Sequence, residues 1–152
     1  MAADLAQDAP SHLILELLTA FYWFDEGLQN YLTAHGWPEV TRPQSMLMGS
    51  LAMGLHRPSD IARQQGVSRQ AIHTTIGQLV DKGVLELADD PIDRRMKTVE
   101  LTPMGERMRH DAQAAMRLMV AELGRRIGPK KVAQLREAML GDWGEPLAFP
   151  PR

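Results

Sequence analysis

Between Ser68 and Lys82 the chain gathers Arg69, Gln70, His73, Thr74, Gly77 and Gln78 on one face of a helical pattern. Ala71, Ile72, Ile76, Leu79 and Val80 recur on the other face and predict its buried stripe. The polar set suits base edges and phosphates. Arginine matches guanine, glutamine matches adenine, and threonine suits a phosphate or a thymine methyl. Ser68 is placed to cap this helix, and a helix N-terminus itself favours an anionic phosphate. Gly77 is unusual, because a mid-helix glycine costs ~1 kcal/mol relative to alanine. It either permits close approach of another surface or is a neutral position.

The preceding stretch, Pro58 to Val67, fits the first half of a helix-turn-helix. Ser59 is expected to cap a short helix over Asp60–Gln65, and Gly66 to make the turn. Ile61 and Ala62 would pack on Ile72 and Ile76, leaving Ser59 and Arg63 free to reach phosphates. After Gly83 the period changes. Val84–Leu87 reads as a strand, Asp89–Asp93 as turn chemistry and Met96–Leu101 as a second strand, with Val99 and Leu101 alternating against Thr98 and Glu100. This hairpin has a charged tip, and Arg94, Arg95 and Lys97 lie on or next to it.

A formal net charge of −2 is a mild point against nucleic-acid binding. Such binding needs only a local basic surface, however. Residues 57–82 supply Arg57, Arg63, Arg69 and Lys82 against Asp60 and Asp81. The absence of cysteine excludes disulfides, thiol redox switching and cysteine-based zinc sites. His12, His35, His56, His73 and His110 are scattered without metal-ligand spacing, and no glycine-rich phosphate loop occurs. The reading is therefore not an enzyme, with no cofactor and no metal. No apolar run approaches the ~20 residues of a membrane span. The start, Met1-Ala2-Ala3-Asp4, lacks a signal-peptide pattern, so a cytoplasmic protein is expected.

Around this centre, residues 1–10 read as a loose arm and Ser11 to about His35 as a long amphipathic helix. Thr41 and Gln44 form a capping-box signature for a helix running to about Leu55. Thr102-Pro103 opens a long helix, Gly128-Pro129 opens another, and the tail from Gly141 reads as irregular. The expected fold class is mainly α with a small β-hairpin wing, a winged helix-turn-helix with N- and C-terminal dimerisation helices. The expected boundaries are 1–40 for the arm and first dimerisation helix, 41–102 for the DNA-binding domain, and 103–152 for the C-terminal dimerisation helices and tail. The terminal helices have apolar faces without an evident partner in a small monomer, which a two-fold homodimer would bury.

The run Asp90-Pro91-Ile92-Asp93-Arg94-Arg95-Met96-Lys97-Thr98-Val99-Glu100-Leu101-Thr102-Pro103-Met104-Gly105 resembles the wing signature of the MarR (multiple antibiotic resistance regulator) family. That signature is Asp-x-Arg at the tip, an alternating strand, then Leu-Thr-x-x-Gly opening a helix. With the helix order, the resemblance extends over about residues 12–140. It implies a homodimeric regulator, by default a steric repressor, on a pseudo-palindromic double-stranded DNA operator. It also implies that Arg95 enters the minor groove, that Asp93 helps hold that arginine, and that Arg94 is a second backbone contact; groove physics favours an arginine there.

The family commonly takes small anionic or aromatic effectors between the dimer helices and the DNA-binding part. Phe21, Tyr22, Trp23, Phe24, His35, Trp37 and Arg42 lie on the first helix and its junction with the second. Tyr22, Trp23, His35, Trp37 and Arg42 are the effector candidates. Core or dimer-interface packing is the competing reading of these aromatics. A different class of function is a winged-helix module that binds protein without specific DNA binding, which the low net charge favours.

Overall fold

The computed structural model describes residues 12–151. The expected N-terminal arm and the signal-peptide reading fall on residues outside that range. Six helices and one hairpin follow in order: α1 Leu13–Ala34, α2 Arg42–Ala52, α3 Pro58–Gln65, α4 Arg69–Asp81, β1 Leu85–Asp89, β2 Lys97–Leu101, α5 Pro103–Ile127 and α6 Pro129–Leu140. The fold is mainly α with a two-stranded antiparallel wing.

The chain divides into two compact units, one ending at Met116 and the other beginning at Arg117. The core of the first contains Leu32, Val40, Leu47, Ile61, Ile72, Ile76, Leu79, Val84, Leu85, Val99 and Met108. Each such leucine or isoleucine withdrawn from water contributes about 1.5–3 kcal/mol before the entropy of ordering is subtracted. The buried stripe of α4 is narrower than expected. Ile72, Ile76 and Leu79, at i, i+4 and i+7, are buried, while Ala71 and Val80 are exposed. A short helix resting on one neighbouring layer covers only the centre of its apolar arc.

The cap of α3 also differs from expectation. Arg57 is the N-cap residue and Pro58 the first helical one. Proline fits there because its fixed φ is already helical and its missing N–H would have no partner. Ser59 sits inside the first turn instead. Gly66 closes α3 with φ 64°, and Val67 N–H reaches back to the Ala62 carbonyl at 3.1 Å. That left-handed geometry favours glycine and sets the turn into α4. Ser68 caps α4 as expected, its Oγ accepting from Ala71 N–H at 3.1 Å. At α2, Gln44 Oε1 accepts from Thr41 N–H at 3.1 Å, and the helix stops at Ala52, before the expected Leu55.

In the wing, Leu85 pairs with Leu101, Leu87 with Val99 and Asp89 with Lys97. β1 therefore starts one residue later and runs two residues further than predicted. The other edge of β2 is covered. Val99 N–H donates to the His56 carbonyl at 2.9 Å, and His56 Nδ1 lies 3.0 Å from the Val99 carbonyl. Thr98 is buried as well as Val99, so both faces of the strand are covered there and the expected in–out alternation fails.

The Leu101-Thr102-x-x-Gly105 run has a direct physical reading. Thr102 Oγ1 donates to the Gly83 carbonyl at 2.5 Å and accepts from Gly105 N–H at 3.0 Å, capping α5. A Cβ on Gly105 would sit 2.1 Å from the Val84 carbonyl oxygen. Only glycine lets α5 start this close to the chain entering β1.

In the second unit, α6 buries none of its side chains, and Leu135, Met139 and Leu140 are exposed. Among the described residues, no helix is long and apolar enough to cross a membrane. No group of three histidine, cysteine or acidic residues among them could hold a metal.

Candidate nucleic-acid interface

The exposed face of α4 presents Arg69, Gln70, His73 and Thr74, with Gln78 one turn beyond Thr74. The Thr74 hydroxyl donates to the Gln70 carbonyl at 3.0 Å, so its methyl and oxygen lone pairs are what it offers outward. No atom lies within 4 Å of a Cβ built on Gly77, so nothing inside the fold requires glycine there. Beside α4, Arg63 pairs with Asp60 at 3.3 Å in an exposed i,i+3 contact. Such a pair is worth little in water and yields readily to a phosphate.

Arg94 and Arg95 are exposed at the wing tip, next to an isoleucine, Ile92, that is 86% exposed. Among the described residues neither arginine has an ion pair, and neither does Arg69. Asp93 accepts the Arg95 backbone N–H at 3.0 Å through its Oδ1, so it shapes the turn beneath that residue and does not hold the guanidinium. Lys97 is the first residue of β2, next to the wing tip, where it pairs with its cross-strand neighbour Asp89.

The wing turn is tied down by Asp90, which in the sequence has only the look of ordinary turn chemistry. Asp90 is almost completely buried. Its Oδ1 accepts from Ile92 N–H at 2.8 Å and Asp93 N–H at 3.2 Å, while its Oδ2 accepts from Arg57 Nε at 2.5 Å. The bond from Arg57 and those backbone donors outweigh burial and hold the carboxyl down at about 2. The same partnership raises Arg57. An acid opening a turn was visible in the sequence; that Arg57 closes on it is a tertiary fact with no local signal.

The effector candidates separate into different surroundings. Arg42 lies over the Tyr22 ring at 4.3 Å, and its Nε donates to the buried carboxylate of Asp25 at 2.9 Å. Trp37 instead donates its indole N–H to Asp111 Oδ2 on α5 at 2.7 Å. His35 stacks on Tyr31 at 3.9 Å, and its Nδ1 lies 2.8 Å from that residue's carbonyl. Trp23 meets Phe24 edge-on at 4.9 Å. Tyr22 and Arg42 are therefore brought together, whereas Trp37, His35 and Trp23 have other partners. Asp25 was missed because a lone acid among aromatics on α1 gives no sign of which cation it will meet.

The family model described as MarR family matches residues 39–96, which run from just before α2 through the wing tip. An uncharacterized HTH-type transcriptional regulator, YdgG of Bacillus subtilis (strain 168), is 31% identical over 80 residues. That match takes in 51% of this chain and spans about half, 53%, of the relative's length. Among solved structures, transcriptional regulator PA4135 is similar with a TM-score of 0.66 and 25% identity, over 84% of this chain and 92% of that one. Wild-type apo MarR from E. coli gives a TM-score of 0.66 at 22% identity, over 84% and 93%, and this second likeness bears on the fold alone. Residues 39–96 thus match the MarR family, and helix-turn-helix, wing and flanking helices follow one another in the order seen in these regulator structures.

Proposed function

We propose that the chain is a sequence-specific regulator that binds a pseudo-palindromic operator in double-stranded DNA as a homodimer and represses by occupying it. The observation that carries this reading is the exposed, unpaired set of Arg69 on α4 and Arg94 and Arg95 on the wing tip, flanking the Gln70, His73 and Thr74 face. Amides and imidazole beside free guanidinium groups suit base edges between phosphates. Ser59, Arg63, Ser68 and Lys97 would position the protein on the backbone, and Gln78 would extend the α4 face. The homodimer is supported by the apolar side chains left exposed on α1 and α6, including Leu13, Ile14, Leu15, Leu135 and Leu140.

The deciding experiment is selection of bound duplexes from a random pool, followed by affinity against salt. Enrichment of an inverted repeat and a steep fall of affinity with salt are expected. Absence of any enriched sequence, with salt-insensitive capture of protein instead, would favour the protein-binding module.

Release by a small aromatic or anionic effector belongs to the same proposal. Its support is the Arg42 guanidinium over the Tyr22 ring. An anionic effector there would compete with Asp25 for the cation. Titrating aromatic carboxylic acids into the DNA complex tests it, and no release at any concentration that leaves the protein folded rejects it.

A further inference from the structure

The Gln44 side chain is 2% exposed and lies between the start of α2 and the outer part of α4. Its Oε1 accepts from Thr41 N–H at 3.1 Å and from Lys82 Nζ at 2.9 Å. Both partners can only donate: a peptide N–H has no acceptor capacity and an ammonium has three N–H bonds. An amide whose oxygen faces two obligate donors must turn its NH2 group the other way. There Gln44 Nε2 donates to Gln78 Oε1 at 2.9 Å. This settles the second amide in turn. With its oxygen held by Gln44, Gln78 directs its own NH2 group outward from an exposed position on α4.

We infer that Gln44 is a positioning residue that turns the Gln78 oxygen toward itself and the Gln78 NH2 group outward, so that Gln78 meets an acceptor atom of the duplex. The inference rests on the DNA-binding reading above. An untied glutamine presents donor and acceptor together, as the bidentate contact to adenine requires. Gln70 has no side-chain tie among the described residues and keeps that option. In Gln78 the oxygen is turned to Gln44 and the NH2 group is the one left to face DNA, so its partner is a base-edge acceptor or a phosphate oxygen. Buried Gln44 thus limits what Gln78 can read without touching DNA. Lys82 also donates to the Glu39 carbonyl at 2.5 Å, which anchors the relay to the segment before α2.

The test uses the full chain and three variants. Gln44→Glu keeps an acceptor for Thr41 and Lys82 but removes the donor to Gln78, which is then free to turn over. Gln78→Glu keeps an oxygen toward Gln44 and points a second acceptor outward. Gln78→Ala removes the contact. Each is passed through the random-pool selection, with thermal melting as the folding control. On the sequence preferred by wild type, Gln78→Glu is expected to bind about tenfold more weakly than wild type, and more weakly than Gln78→Ala. Gln44→Glu is expected to change binding in the same way as Gln78→Ala, while positions affected by Gln70→Ala stay as they are. Changes confined to particular base pairs assign the acceptor to a base edge. Changes uniform across sequences assign it to a phosphate; both uphold the inference. A folded Gln44→Glu protein with wild-type selectivity and affinity overturns it, and so does Gln78→Glu binding no worse than Gln78→Ala. If Gln44→Glu does not fold, Gln78→Glu decides alone, since its position is exposed. A wild-type chain that enriches no sequence defeats the DNA-binding reading and the inference together, a result distinct from either of those.

Discussion

Arg57 and Asp90 lie 33 positions apart and meet through a 2.5 Å Nε–Oδ2 bond. Arg57 is the N-cap residue of α3, and Asp90 immediately follows β1. The bond therefore fastens the wing turn to the first helix of the helix-turn-helix. Asp90 also accepts two backbone N–H groups of that turn, so one carboxylate fixes the turn's shape and its attachment. An exposed ion pair contributes little, but a nearly buried carboxylate with three donors is costly to disturb, because removing it strands all three.

The first prediction concerns that carboxylate. Its proton is held at about 2 in the folded chain against an ordinary 3.8. Between those values the unfolded chain binds more protons, so stability rises with pH. The contribution is complete above about pH 4 and is lost as pH falls through about 2. Asp90→Asn should therefore be less stable than wild type at neutral pH, and the gap should shrink to nothing at the acid end. Urea melts at stepped pH measure it. A gap that stays constant down to pH 2 assigns the effect to shape and not to charge.

The second prediction separates the wing tip from its anchor. Arg95→Ala removes an exposed side chain and should leave melting temperature and oligomeric state unchanged. Operator affinity should fall about tenfold or more, with the salt slope reduced by ~1 if a phosphate contact goes with it. Equal binding by wild type and variant removes Arg95 from the interface.

The third prediction concerns base reading. Gln70→Ala and His73→Ala should each cost about 1–3 kcal/mol on the selected site and relax preference at particular base pairs. Both side chains are exposed, so folding is spared. A loss equal on all sequences would reassign them to the phosphates.

The parts legible in the sequence were those written in short-range chemistry. Ser68 before α4, Gly66 in the turn, Thr41 with Gln44, and Thr102 before Pro103 each mark a boundary through a bond spanning a few residues. What was not legible depends on distant partners. Asp90 had the composition of a turn, but nothing local selects Arg57 to meet it. Trp37 and His35 had the composition of an aromatic pocket, yet each is drawn to a different partner, Asp111 and Tyr31. Ser59 outranks proline as a cap on general preference, but Pro58 just ahead of it takes the first helical position and moves the cap to Arg57.

The fourth prediction uses two glycines whose surroundings differ. Gly105→Ala would force a Cβ to 2.1 Å from the Val84 carbonyl, which is backbone and cannot swing aside. Destabilisation of about 1–3 kcal/mol or more is expected in urea unfolding. Gly77→Ala meets nothing within 4 Å and should instead stabilise by up to ~1 kcal/mol through helix propensity. If Gly77→Ala is more stable yet binds operator more weakly, close approach to DNA is what the glycine serves. Unchanged affinity makes it a neutral position.

The fifth prediction is the homodimer. α6 has no buried side chain, and Leu135, Met139 and Leu140 are 44%, 42% and 74% exposed. Apolar side chains repeated along a helix and left in water favour burial against a second copy. A chain truncated before Gly128 loses α6 and should run as monomer or aggregate in sedimentation or light scattering, with the helix-turn-helix still folded by circular dichroism. DNA affinity should drop steeply, because one half-site then binds without its partner. The less disruptive double substitution Leu135→Glu with Met139→Glu should shift the equilibrium the same way without shortening the chain. A stable dimer from both proteins would place the interface elsewhere, leaving the exposed apolar face of α1, from Leu13 to Leu18, as the surface to substitute next.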